Sequence, residues 1–200
     1  MLPLFILAIS LSGSLAVKTS ACCTATEWEA VVLQVGGTVR NGSASALDGY
    51  FDLLYDFDMK RITRIQHPVD KAAYRTITDY NTRKTYIITA GATGLSCSSH
   101  DLSAGETMTP NCIPANSTHM GTHYLGASAD AVLVNSWRFI IPGGLTLEIT
   151  VTEDDCTPVL DSSFYTATGI ASVTTRFYTN FKKGISDIAM TQIPSQCTRS

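Results

Sequence analysis

Phe51-Asp52-Leu53-Leu54-Tyr55-Asp56-Phe57-Asp58 decides how this chain folds. Phe51, Leu53, Tyr55 and Phe57 fall on one side of a period-two pattern, and Asp52, Leu54, Asp56 and Asp58 on the other. Alternation of that kind places every second side chain on one face, which predicts a half-buried β-strand. Leu145, Leu147, Ile149 and Val151 repeat the pattern against Thr146, Glu148, Thr150 and Thr152. Working outward, further strands are predicted at Trp28–Val35, Arg61–Gln66, Ala73–Tyr80, Thr85–Ala90, His123–Ala127, Val132–Ile140, Ser163–Thr168 and Ser172–Phe181. Asn81-Thr82-Arg83, Pro142-Gly143-Gly144 and Glu153-Asp154-Asp155 separate such runs at hairpin distance. Short connections force antiparallel neighbours, because parallel strands need long crossovers. No segment has convincing helical periodicity; Ile185–Ala189 suits one short turn. Gly91 to Thr122 reads as the longest irregular stretch, of a length that is usually functional or stapled. The expectation is one antiparallel all-β domain.

Composition agrees. Of 200 residues, 26 are Thr, and Val and Ile are plentiful, as suits strands. The charged share is 16%, against about 25% usually, while 44% is apolar, which excludes a disordered chain. A net charge of -3 leaves no basic footprint for nucleic acid. At the start, Leu2 to Leu15 is mostly apolar and is followed by small residues. Ser14-Leu15-Ala16 offers a leader cleavage site, so residues 1–16 are read as a signal peptide and 17–200 as the mature domain. Thr19-Ser20-Ala21 is the later alternative. The apolar run is too short for a membrane anchor, so secretion is expected.

Cys22, Cys23, Cys97, Cys112, Cys156 and Cys197 fit an oxidising compartment, where they would pair. No C-x-x-C pair argues for zinc, and adjacent Cys22 and Cys23 are poor partners for each other. Asn41-Gly42-Ser43 and Asn116-Ser117-Thr118 are N-glycosylation sequons in loop-like surroundings.

Catalysis has little footing: there is no nucleophile elbow, no zinc-protease helix, no P-loop and no dinucleotide fingerprint. His119 and His123 would share a strand face but lack further ligands, and read as surface histidines. Asp52, Asp56 and Asp58, and the cluster Glu153, Asp154 and Asp155, are weak calcium candidates without EF-hand spacing. The aromatic faces allow either a dry core or a lined cavity, and periodicity does not separate the two.

The order of motifs along the chain resembles the ependymin family. It comprises Cys23 ahead of Trp28, then Tyr55-Asp56-Phe57-Asp58-Met59-Lys60-Arg61, then Cys97 and Cys112-Ile113-Pro114-Ala115-Asn116-Ser117-Thr118. Tyr124-Leu125-Gly126, Val134-Asn135-Ser136-Trp137, Gly143-Gly144, Val151-Thr152 and Cys156-Thr157-Pro158-Val159 follow. Phe177, Asn180-Phe181, Gly184-Ile185-Ser186-Asp187 and Ile193-Pro194-Ser195-Gln196-Cys197 close the series. The resemblance implies two curved antiparallel sheets in a half-open barrel or sandwich around an apolar pocket, like the bacterial lipoprotein-carrier proteins. It implies a secreted or lysosomal glycoprotein, often dimeric, with a hydrophobic small molecule or lipid as ligand and no catalysis. Calcium binding and contact with extracellular matrix come with the family too, so a matrix or adhesion glycoprotein is the alternative; no cofactor is required. Carried residue by residue, Asn116 matches the glycosylation position, Cys23 pairs with Cys156, and Cys197 pairs with Cys112 or Cys97. Cys22 departs from the pattern and leaves the third bridge open. Pocket walls are then expected from Phe51, Leu53, Tyr55, Phe57, Trp137, Phe139, Leu147 and Ile149.

Overall fold

β-branched and aromatic residues at alternating positions give eleven strands. They are β1 (Glu27–Arg40), β2 (Ser43–Asp56), β3 (Arg61–Gln66), β4 (Tyr74–Asp79), β5 (Lys84–Gly91), β6 (Gly94–Asp101), β7 (Thr118–Leu125), β8 (Val132–Ile141), β9 (Leu145–Thr152), β10 (Pro158–Ala167) and β11 (Ile170–Lys183). The structure is a computed structural model that describes residues 22–69, 71–92, 94–141 and 144–198. The leader and both its cleavage sites, and Pro142-Gly143 of one expected turn, lie outside the described residues.

All strands belong to one antiparallel sheet in the order β6-β5-β4-β3-β2-β1-β11-β10-β9-β8-β7. Each half is a meander of sequential hairpins, β1 to β6 and β7 to β11, so the chain order itself generates the topology. The halves meet where β1 pairs with β11, from Trp28 opposite Lys183 to Arg40 opposite Ile170. The all-β expectation holds, and the two sheets implied by the resemblance are the two halves of a continuous ladder. Gly36 sits at the junction, where a Cβ would meet the Val173 carbonyl oxygen at 2.2 Å. Only glycine lets the backbones approach that closely. At the far end, Asn41 (φ 49°) and Gly42 (φ 83°) turn β1 into β2, the left-handed pair that a tight hairpin requires.

Cross-strand register sorts the side chains onto two faces. The inner face carries one cluster of Trp28, Ala30, Val32, Phe51, Leu53, Tyr55 and Ile62. A second is built from Ile113, Trp137, Phe139, Ile141, Leu147 and Val151. Burying each large apolar side chain contributes about 1.5–3 kcal/mol. Trp28 stacks on Tyr55 with ring centroids 5.1 Å apart.

The strand that decided the fold was expected to be half-buried, but both of its faces are covered from Leu53 to Asp56. The cause is the tail after β11. It lies on the outer face, where the Arg75 guanidinium donates to the Met190 carbonyl at 3.1 Å and the Ser186 amide to Glu29 at 2.8 Å. The Cys97–Cys197 bridge ties its end to β6. Ile77 and Thr63 are accordingly buried on that side, and Asp79 is buried by its own turn, accepting from the Asn81 and Thr82 amides and from Arg61.

Two sequence readings change. Gly91 to Thr122 is not irregular throughout, because it contains β6 and the start of β7, leaving residues 102–117 as the connection between the meanders. The expected short turn in the tail is a 3-10 turn at Ile188–Thr191, capped by Asp187, whose side chain accepts from the Ala189 amide.

A candidate ligand cavity

Two neighbouring cysteines organise the site. Successive side chains of an extended segment point in opposite directions, so Cys22 and Cys23 reach different parts of the fold. Cys22 bonds to Cys156 in the β9–β10 turn, and Cys23 to Cys112 in the connection between the meanders. The pairing of Cys23 with Cys156 implied by the resemblance is therefore corrected: Cys22, for which the resemblance offered no partner, takes Cys156. Cys197 takes Cys97, one of its two anticipated partners. The Thr24 amide donates to the Asn111 carbonyl and the Ile113 amide to that of Cys22, both at 2.7 Å. These bonds knit residues 22–24 and 111–113 into a short strap. The Tyr55 hydroxyl reaches from β2 to the Thr109 carbonyl at 2.7 Å, fastening the connection to the inner face.

Beneath the strap, between the two apolar clusters, lies a cavity of about 70 Å³. Thr24, Thr109 and Pro110 come from the strap side; Trp28, Leu53, Tyr55 and Ile62 from the first meander; Leu147, Ile149 and Pro158 from the second. That one cavity touches both meanders shows how strongly the sheet curves. Of the expected wall residues, Leu53, Tyr55, Leu147 and Ile149 line it. Phe51 belongs to the first cluster beside it, and Trp137 and Phe139 to the second. Phe57 lies just past the end of β2 and packs against the first cluster, with the Lys60 ammonium 3.1 Å from its ring centroid.

The cavity has a polar wall that the apolar pattern did not disclose. Arg64, Asp161, Arg176 and Tyr178 line it. The Arg176 guanidinium donates from Nε at 2.9 Å and pairs through Nη2 at 2.7 Å, both to Asp161 Oδ1. Tyr178 donates its hydroxyl to the other oxygen of Asp161. Burial works against the Arg176 charge, but Tyr178 and Asp161 outweigh it and hold the guanidinium above its ordinary value. Burial, reinforced by Asp161, pushes the Tyr178 phenol well up, so it remains a donor. Arg64 stands differently. Burial and the neighbouring Arg176 push its guanidinium down, and its Nε has no partner. Its parity with Ile62 on β3 was the available signal, since a charged residue at an inward strand position demands a partner.

The remaining candidates are dispersed. Asp56 is buried and accepts from the Met59 amide at 2.8 Å, while Asp58 is exposed. Asp155 holds its own turn, accepting from the Thr152 hydroxyl at 2.6 Å, and Asp154 accepts from the Asp155 amide at 2.9 Å. Glu153 is exposed on the same turn. His119 faces Asn135 and the Trp137 ring, whereas His123 is exposed. Among the described residues no group of three or more His, Cys, Asp or Glu could hold a metal ion. Both sequon asparagines, Asn41 and Asn116, are exposed. Larger hollows of about 380 and 270 Å³ lie on the outer face beside Met190, and are more open to solvent. Among the described residues no helix is long and apolar enough to cross a membrane.

The ependymin-related protein 2 of Haliotis asinina is 27% identical over 206 residues, spanning 98% of this chain and 98% of its own. Among solved structures, an uncharacterised conserved protein from Thermus thermophilus aligns with a TM-score of 0.49 at 12% identity, over 86% of this chain and 88% of its own. A LolA superfamily protein from Nitrosomonas europaea aligns at 0.38 and 9% identity, over 84% and 90%. The ependymin family model matches residues 69–197, from the approach to β4 through to the final cysteine. This chain belongs to the ependymin family.

Proposed function

We propose that this protein is a secreted, disulfide-stapled glycoprotein that binds a hydrophobic ligand, a lipid or fatty acyl chain, without turning it over. In this reading the leader is removed after Ala16, or as late as residue 21, and the rest works as one domain. The observation that carries the proposal is the cavity between two apolar clusters, walled by Leu53, Tyr55, Leu147 and Ile149 and roofed by a cross-linked strap. Ligand affinity would come from removing apolar surface from water, at about 25 cal/mol per Å². As it stands the cavity is small, since pockets that enclose a drug-sized molecule begin near ~300 Å³. Acyl-chain uptake therefore requires the strap and the connection to lift, and the ligand to replace the contacts they give up.

Lipid extraction and mass spectrometry of the glycoprotein from its natural source, with titration of a fluorescent fatty acid, test the proposal. Co-purifying lipid and saturable binding are expected. A lipid-free protein that also fails to bind the probe would show the carrier reading to be wrong.

An apolar stripe on the outer face supports a homodimer. Leu33, Val35, Val173, Phe177 and Phe164 are all more than a third exposed there, on β1, β11 and β10. A second copy covering it should appear as a dimer in sedimentation, and Val173→Asp should shift the protein towards monomer.

A further inference from the structure

The cavity holds two arginines and one carboxylate. Asp161 is fully engaged, with one oxygen on Arg176 and the other on Tyr178. Arg64 is left without a carboxylate in ion-pair range among the described residues. Glu106 on the nearby connection is turned away, accepting from the Ser103 amide at 3.3 Å. Asp161, Tyr80 and Tyr178 favour the Arg64 charge only through space, without an ion pair, and the Phe51 ring centroid lies 5.7 Å from its guanidinium carbon. A cation over an aromatic face gains far less than one paired with an anion. A guanidinium whose Nε is buried without a partner is costly unless something completes it. The cavity wall carries one cation more than it has carboxylates, and the space beside it, about 70 Å³, takes a head group as it stands, while a chain needs the strap to lift.

We propose that the cavity receives the carboxylate head of a long-chain amphiphile, paired with Arg64, with the acyl chain laid along Leu53, Leu147 and Ile149 towards the strap. This rests on the carrier function proposed above and adds the ligand's chemical class to it. A guanidinium presents parallel N–H donors that match the two oxygens of a carboxylate. Arg176 and Tyr178 frame the site without competing for the ligand, because Asp161 already occupies them. An uncharged lipid would leave Arg64 as it stands now, partly buried and without an ion pair, so the site should discriminate by head group rather than by chain.

The test is a matched pair of probes, oleate and oleyl alcohol, titrated into wild-type protein and into Arg64→Met, with a third arm of lysophosphatidic acid. Wild type should bind oleate about ten- to a hundredfold more tightly than the alcohol, the value of a charge-assisted hydrogen-bonded pair. Arg64→Met, which keeps the unbranched stem of the side chain but not the guanidinium or its charge, should bind both probes equally and near the wild-type affinity for the alcohol. Equal wild-type affinity for acid and alcohol would overturn the head-group assignment while leaving the carrier function intact. So would an Arg64→Met variant that still prefers oleate. Stronger binding of lysophosphatidic acid than of oleate would overturn the choice of a carboxylate. Failure of every probe to bind wild type would remove the carrier reading itself. The wild-type comparison does not depend on the variant folding, and Arg64→Lys, with its charge retained, should keep part of the preference.

Discussion

Replacing Asp161 with Asn would leave Arg64 and Arg176 side by side in the cavity with no anion between them. Asp161 is 2% exposed, and removing one partner of a buried pair costs about 3–5 kcal/mol. Arg176 retains some contact with solvent, so about 3 kcal/mol is expected, read as a lower midpoint in urea unfolding with unchanged slope. A loss below about 1 kcal/mol would mean that the arginines are solvated more freely than the cavity allows. Asp155 gives the opposite kind of prediction, because it lies at the surface. The Thr152 hydroxyl, above all, and then Thr157 and Lys183 hold its carboxyl well below the usual range, against a smaller effect of burial. A lowered carboxylate stabilises the fold above its unfolded value of about 3.9, and that contribution is lost as pH falls through the folded value. The turn that carries Cys156 should thus be intact at mildly acidic pH and loosen only in strong acid. Unfolding followed from about pH 5 down to about pH 2 should show a steeper loss for wild type than for Asp155→Asn. Parallel curves would show that the turn does not depend on that charge.

Among the elements, the strap is the one whose release should change binding as well as stability. Cys22→Ser with Cys156→Ser frees its outer end from the β9–β10 turn but keeps the Cys23–Cys112 bridge. With the Cys23–Cys112 bridge kept, the loop opened runs only from Cys112 to Cys156, so a loss of about 2–4 kcal/mol is expected, and fatty-acid uptake in stopped flow should become faster. Lower stability with unchanged uptake would place ligand entry elsewhere, with the hollows beside Met190 the first alternative. What could be read of the elements from sequence divides along physical lines. β3 is found with its observed ends, and β8 and β9 within a residue, because their alternation reports a buried inner face. β6 escapes because Gly94–Asp101 is a sheet edge with most of its residues exposed, so nothing selects apolar residues there. The first half of β2, Ser43 to Tyr50, escapes for the same reason, being exposed throughout and held by its pairing with β1. Four of the expected wall residues line the cavity because inward parity is a property of the strand. The strap and the Arg64 environment depend on which distant segments cross-link, and no local periodicity encodes that.

At the scale of the whole molecule, the threonines that dominate the composition serve the sheet as cross-strand hydroxyl pairs. Thr78 meets Thr85, Ser136 meets Thr150, and Ser162 meets Thr175, at 2.9–3.2 Å. The same sheet carries two apolar clusters, one in each meander, with a charged cavity between them. They are coupled through the β1–β11 ladder and through the strap bridges, and among the described residues the buried apolar side chains form two separate clusters. A ligand filling that gap would bind only the folded protein, because both walls and the roof must be assembled to form it. Linkage then stabilises the fold by about 2.7 kcal/mol at a hundred times the dissociation constant. For a chain of this size that corresponds to a rise in Tm of about 5–10 °C. Oleate kept below its micelle concentration should give that rise, and Arg64→Met should need a higher concentration of oleate to reach it. The rise should be smaller in the protein lacking the Cys22–Cys156 bridge, where part of the binding energy goes into reassembling the strap. Oleate bound tightly with no change in Tm would mean that it is held equally well by the unfolded chain, and so not by this cavity.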